Sequence, residues 1–340
     1  MNRGGGSEPE SPLRRRVLAA AGAAAFIAAS DSMLGGGVSA ASPPSSDGNI
    51  CPFKITWDVG WICEGLRNKQ RLELILALKY VERHWKAAIK GWPIVPGFPI
   101  SELAITLRYY QVRGSKARQV GAFGTVDDIQ TLPATAGRIA HLPRSGTIEV
   151  NRCAIDSMLV NPTGNGNLGT VLLHEVGHVL GFGTLWEAKR LLRQRYRNPV
   201  FVGSNAMREY QALRQALPHD RPISLEPVPV ENGGGWGTRW QHWREKTFGN
   251  ELMSPAQCAN DRLPSRLTLA SLEDLGYVVN YGAADADYEL PGAGRQKCVP
   301  LSENESGPID PSCHYPCNSK EYLGKHCSTG KILMPPYPVD

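Results

Sequence analysis

Residues 174–183 read HEVGHVLGFG and carry the strongest chemical signal in the chain. His174 and His178 stand four positions apart in an apolar stretch, so on a helix both imidazoles leave one face, with Glu175 at its edge. Neutral imidazoles at that spacing suit zinc, and a carboxylate beside the ligands but not among them suits a general base for water activated by the metal. A catalytic zinc keeps one position open for water, so a third protein ligand is expected and a fourth is not. Gly181 follows His178 by three residues, where the helix must stop for the chain to bring that ligand back. Glycine accepts the positive φ such a turn needs.

The third ligand is not local. Position 184 is Thr184, and the next histidine downstream is His219, in the turn-like context Leu217-Pro218-His219-Asp220. His242 opens the segment HWREKTFGNELMSP, which puts Met253 eleven residues on in a tight turn able to run beneath a metal site. His84 and His141 lie upstream, and His314 and His326 lie in a Cys-rich tail. His242 is therefore preferred; Glu251 or Glu273 would be the third ligand of a different donor set.

The elements that must position these residues are only partly visible. Asn167 reads as the N-cap of a helix over Leu168–Leu180 that carries the two histidines. Phe53–Val59 alternates like an edge strand, and Arg71–Lys90 is an amphipathic helix with Leu74, Leu78, Val81, Trp85 and Ile89 along one stripe. Leu103–Val112 is β-rich, a loop containing Gly121, Gly124 and Pro133 follows, and Gly146–Asn151 is another strand. Residues 184–241 read as irregular, with Pro218, Pro222, Pro227, Pro229 and three glycines at 233–235. The basic run from Lys189 to Arg197 reads as a solvated helix face, and Thr268–Leu275 as a short helix stopped by Gly276.

With these residues in view the chain resembles the leishmanolysin-type zinc metallopeptidases, metzincins in which a long insertion separates HExxHxxG from the third histidine. In the short metzincin pattern that histidine comes six residues after the second one. The resemblance rests on PRSGTIE at 143–149, GFGTLW at 181–186, PVEN at 229–232, GTR at 237–239, FGNELMSP at 248–255 and ASLEDLGYVVNY at 270–281, and it covers roughly residues 52–290. It implies one catalytic zinc ion held by His174, His178 and His242, Glu175 as catalytic base, and Met253 as an apolar floor in a Met-turn. It also implies an α+β fold: a metzincin-like catalytic domain of two lobes, with a twisted mixed sheet and the active-site helix in residues 51–183. The insertion, Met-turn and terminal helix would occupy an irregular second lobe, residues 184–290. Gly146, Thr147 and Ile148 would lie on the sheet edge nearest the cleft, where an extended peptide pairs through its backbone. The implied function is hydrolysis of peptide bonds in proteins by an exported zinc endopeptidase.

Composition agrees with export. Arg14, Arg15 and Arg16 precede an Ala-rich run from Val17 to Ala29, and Val38-Ser39-Ala40 suits cleavage, so residues 1–40 read as a twin-arginine or general secretory signal and 41–50 as a linker. The distance from Ala40 to Cys51 leaves little room for a pro-segment. All eight cysteines follow Ala40 and none forms a CxxC pair, which favours disulfides over a Cys-only zinc site, with the connectivity open. Residues 291–340 form a Cys- and Pro-rich tail. A 41% hydrophobic content over 340 residues can bury a sizeable core, and the net charge of +5 implies no particular partner. Without a stacking platform or recognisable binding module, no nucleic acid partner is expected. No segment after the leader is long and apolar enough to cross a membrane, which leaves room for loose association with a membrane or cell surface. The competing function is a catalytically silent zinc-binding adhesion protein working through its tail; Glu175 argues against it, since a scaffold has no need of a carboxylate beside the ligands.

Overall fold

A computed structural model describes residues 50–63, 66–93, 102–110, 122–135, 138–151, 158, 167–193, 198–217, 224–234, 237–255 and 262–291. The leader, the linker before Ile50, His219, the tail beyond 291 and all cysteine side chains except that of Cys63 lie outside the described residues.

The fold is α+β. β1 (Ile50–Pro52) and β2 (Ile55–Asp58) are followed by a helical turn, α1 (Gly60–Cys63), and the long helix α2 (Asn68–Ala88). Apolar residues recur every three or four positions in α2, so Leu74, Ala77, Leu78, Val81, Trp85 and Ala88 form one buried face. The helix ends where Ile89 turns extended and enters β3 (Ile89–Pro93). β4 (Leu103–Tyr110), β5 (Ala122–Thr135) and β6 (Arg138–Asn151) complete a four-stranded mixed sheet in the order β2-β4-β6-β5. β2, β4 and β6 run parallel, and β5, antiparallel to β6, is an edge of the sheet among the described residues. β2 is the other edge, as its alternating pattern predicts.

α3 (Asn167–Val179) packs between α2 and this sheet. Every residue from Leu168 to Gly183 is buried, and the Trp85 indole donates to the Leu173 carbonyl at 3.1 Å, tying α2 to the helix that carries His174 and His178. Beyond α3 come β7 (Leu192–Arg193), β8 (Val200–Phe201), α4 (Ser204–Gln215), β9 (Val228–Pro229), α5 (Glu245–Phe248), α6 (Arg266–Leu275) and β10 (Val278–Val279). β7, β8 and β9 make a small sheet, and β10 returns to pair with β3 beside β1. Fully buried Phe182, Trp186, Phe201, Trp243 and Phe248 stack on one another at 4.5–5.8 Å between ring centres, giving this half an aromatic core beneath the residue after His242.

Three expectations need correction. Residues 122–135, read as a loop on the strength of Gly124 and Pro133, form the edge strand β5; pairing with β6 overrides those signals, with Gly124 in register opposite Ile148 and Pro133 inside a register slip between Leu132 and Thr135. Residues 184–241 are less irregular than their prolines suggest, because Ala206, Glu209 and Tyr210 give α4 a buried face against α6. Lys189–Arg193 is not a helix face: Lys189 and Arg190 lie in a turn, and Lys189 reaches the Leu275 carbonyl at the end of α6.

Candidate metal centre

α3 projects His174 and His178 from one face, and a hairpin-like segment returns His242 to meet them. The three side chains are buried, at 4%, 4% and 6% exposure, and their Nε2 atoms lie 3.1 Å from one another in all three pairings. Each Nδ1 faces a backbone carbonyl: His174 with Leu252 at 2.6 Å, His178 with Phe182 at 3.0 Å, His242 with Thr238 at 2.9 Å. A carbonyl only accepts, so each Nδ1 carries the proton and donates it, which leaves the three Nε2 atoms as lone pairs aimed at one another.

Such an arrangement lacks a proton to share and calls for a cation. Burial lowers the pKa of His174 to about 4; burial and then the neighbouring His174 lower that of His242 to about 3. His178 is pushed well below its usual range by burial and by the other two rings. All three are therefore neutral at pH 7, the form that binds metal. One face of a zinc–nitrogen tetrahedron with bonds of about 2.0–2.1 Å has an edge of roughly 3.3–3.4 Å, close to the spacing found. The donor set fits zinc, and the carbonyl acceptors behind each ring are the partners that orient metal-binding imidazoles.

Glu175 is 5% exposed, and burial raises its carboxyl pKa to about 8, offset in part by a hydrogen bond from the Gly124 N–H of β5. Among the described residues no acid other than Glu175 adjoins the ligands in sequence, and the three histidines alone form a metal-binding group. Glu251 and Glu273, the alternative third ligands, are committed elsewhere: Glu251 accepts from Met253, Ser265 and Thr268, and Glu273 from the Tyr281 hydroxyl.

Gly181 has φ +104° and closes α3 as expected. Met253 is fully buried against the helix: a Cβ placed on Gly177 would stand 2.7 Å from Met253 Sδ. Gly177 is thus the gap in α3 that admits this side chain between the turns bearing the two histidines. Gly146, Thr147 and Ile148 are placed differently from the expectation. They lie in β6, whose backbone is paired with β4 on one side and β5 on the other, so no edge is free for a peptide. Gly146 serves close packing, since a Cβ there would stand 2.5 Å from Val179 Cγ1 of α3; Ile148 is core, and Thr147 donates to Asp127 at 2.6 Å. Among the described residues the sheet's edges are β2 and β5, and β5 is the one packed against α3.

Sequence reasoning missed two residues that set His242. Gly183, at φ +71°, lies so close to Gln241 that a Cβ would be 2.3 Å from its carbonyl oxygen; the second glycine of GFG was the visible signal. Glu231 accepts from the backbone N–H groups of Asn232, Gly233 and Glu245, and its own N–H donates to the His242 carbonyl at 2.9 Å, which pins the base of the returning segment.

The family model described as leishmanolysin matches residues 139–334, more than half of the chain. It runs beyond residue 290, where the likeness read from the sequence stopped. A leishmanolysin of Leishmania donovani is 28% identical over 175 residues, covering 48% of this chain and 28% of that protein. A Leishmania chagasi leishmanolysin is 31% identical over 142 residues, 39% of this chain and 22% of the relative. A leishmanolysin-like peptidase of Caenorhabditis elegans is 45% identical over 62 residues, 18% of this chain and 9% of that protein. The chain thus spans about a quarter or less of the length of these curated relatives. No solved structure matches. With the family model covering most of the second half and the three clustered histidines inside it, the chain belongs to the leishmanolysin peptidase family.

Proposed function

We propose that this chain is an exported zinc endopeptidase that hydrolyses peptide bonds in proteins, with Nε2 of His174, His178 and His242 as the zinc ligands and Glu175 as the general base. The observation that carries this reading is the convergence of three unprotonated Nε2 atoms, each locked by a carbonyl on its far side, next to a buried carboxyl that none of them uses. When bound, zinc polarises the scissile carbonyl and acidifies a water.

Glu175 takes the proton released as water attacks and passes it to the leaving amine. Its high pKa suits the second step, and a zinc ion held by the three histidines would favour the ionised form needed for the first. Gly124 holds the carboxylate from β5, so an extended peptide laid along the open edge of that strand would pass Glu175. The Leu252–Met253 turn works as a floor: its Leu252 carbonyl orients His174, and Met253 fills the space beside Gly177. Export is supported by the Arg-Ala leader and by the position of the cysteines after it.

The reading is tested by cleavage of casein by the purified chain and by Glu175→Ala, with zinc content measured on both. One zinc in each and cleavage by the wild type alone supports it. Equal cleavage by both removes Glu175 from the reaction, and wild-type protein that neither holds zinc nor cleaves removes the function.

A further inference from the structure

Glu251 is a buried carboxylate, 2% exposed, that the proposed chemistry does not use, yet four donors converge on it. Its Oε2 accepts from the Met253 N–H at 2.5 Å. Its Oε1 accepts from the Ser265 N–H at 3.1 Å, the Ser265 hydroxyl at 2.7 Å and the Thr268 hydroxyl at 2.6 Å. Thr268 in turn accepts from the Trp243 indole at 2.9 Å, and the Trp243 N–H donates to the Met253 carbonyl at 3.1 Å. Trp243 directly follows His242, and Leu252, between Glu251 and Met253, supplies the carbonyl that orients His174. One carboxylate thus joins the turn behind His174, the residue after His242 and the first turn of α6.

We propose that Glu251 is a positioning residue for the metal centre, a clamp that fixes where the His174 acceptor and the His242 backbone stand relative to each other. This rests on the zinc reading above. Two oxygens accepting from four donors leave no place for an N–H group, which is why the position demands a carboxylate: a glutamine keeps the length but turns its amide nitrogen toward donors. Serine and threonine at 265 and 268 do double duty. Ser265 caps α6 by accepting from the Thr268 N–H at 3.2 Å while donating to Glu251, so the helix start and the turn under the site move as one body.

The test is zinc affinity of the full purified chain, measured by competition with a chromophoric chelator, alongside the Tm of the metal-free protein. The variants are Glu251→Gln, the near-isosteric Thr268→Val, and Asp274→Asn as a stability control. Asp274 sits at the far end of α6, where it accepts from the Asn205 and Ala206 N–H groups at 3.0 Å and so caps α4 away from the histidines. The expected result is zinc binding weakened about 10–100-fold by Glu251→Gln, the usual cost of losing a group that orients ligands. Thr268→Val weakens it by a smaller factor, and Asp274→Asn lowers Tm without touching affinity. The proposal is overturned if Glu251→Gln binds zinc like the wild type, or if Asp274→Asn weakens binding equally, which would make the effect one of general stability. Should Glu251→Gln not fold, Thr268→Val decides, and wild-type affinity there overturns the clamp. Wild-type protein that binds no zinc instead brings down the zinc reading itself, and the clamp with it.

Discussion

Gly183→Ala is the sharpest perturbation available, because one methyl group would act on the third ligand without touching it. The added Cβ would stand 2.3 Å from the Gln241 carbonyl oxygen, 2.6 Å from its Cα and 2.8 Å from its carbonyl carbon. These are backbone atoms with no rotamer to give way. Reaching ordinary contact requires the Gln241–His242 backbone to retreat by about 1 Å. Metal–ligand distances tolerate only about 0.2 Å, so a shift of that size takes His242 out of the donor set. The residue must also hold φ +71°, which for alanine costs roughly 1–2 kcal/mol. Zinc affinity should fall by about 100-fold or more, the upper end for lost ligand orientation, and the backbone strain should lower Tm by roughly 2–8 °C. Chelator competition reads the first and circular dichroism the second. Gly237→Ala, where nothing lies within 4 Å of the added carbon, is the control and should change neither. Wild-type zinc affinity in Gly183→Ala would refute the claim that the close approach of Gly183 to Gln241 sets the ligand.

Further consequences follow from burial and charge. Glu175→Gln should keep its zinc and lose about 10²–10⁴-fold in turnover, read as kcat on a fluorogenic peptide. In metal-free protein the raised Glu175 pKa means the native state holds a proton that the unfolded chain releases; stability from this group is full below pH 4.5 and is lost as pH rises through about 8. Glu175→Gln should flatten that alkaline decline in Tm, and an unchanged slope would contradict the raised pKa. The histidines act with the opposite sign: their native pKa values are lowered, to about 4 for His174, so the unfolded chain takes up protons first and metal-free Tm should drop as pH falls from 6.5 towards 4. Met253→Leu, a swap of similar volume, should cost less than about 1.5 kcal/mol and leave zinc affinity intact, since the side chain packs beside Gly177 without ligating; loss of metal in this variant would show that sulfur matters.

The helices were legible where an apolar stripe had to face a core. The stripe of Leu74, Leu78, Val81 and Trp85 marked α2, the burial of α3 followed a mostly apolar stretch broken by Thr170, His174, Glu175 and His178, and Gly276, at φ +115°, ended α6 where its position suggested. The histidine pair was legible because i, i+4 spacing is a local property, and His242 because its distance to Met253 is conveyed by one continuous segment. β5 was hidden because pairing with β6 is a long-range property that no local pattern reports, and a glycine and a proline in it look like loop signals until β6 is beside them. The same blindness put residues 146–148 on a sheet edge. Residues 146–151 look like a strand, but only the register with β4 and β5 shows that both of its sides are taken. The roles of Glu231, Glu251 and Gly183 were not legible for a related reason: each acts on the histidines through partners that only the folded chain brings beside it, and no spacing rule links them to the site.

The most direct measurement is zinc K-edge X-ray absorption on the purified, zinc-loaded chain. The account predicts a first shell of three imidazole nitrogens at about 2.0–2.1 Å with no sulfur, the remaining scatterer being a light atom from water. A sulfur at about 2.3 Å, or a shell with fewer than three imidazoles, would contradict the triad of His174, His178 and His242 as the metal centre.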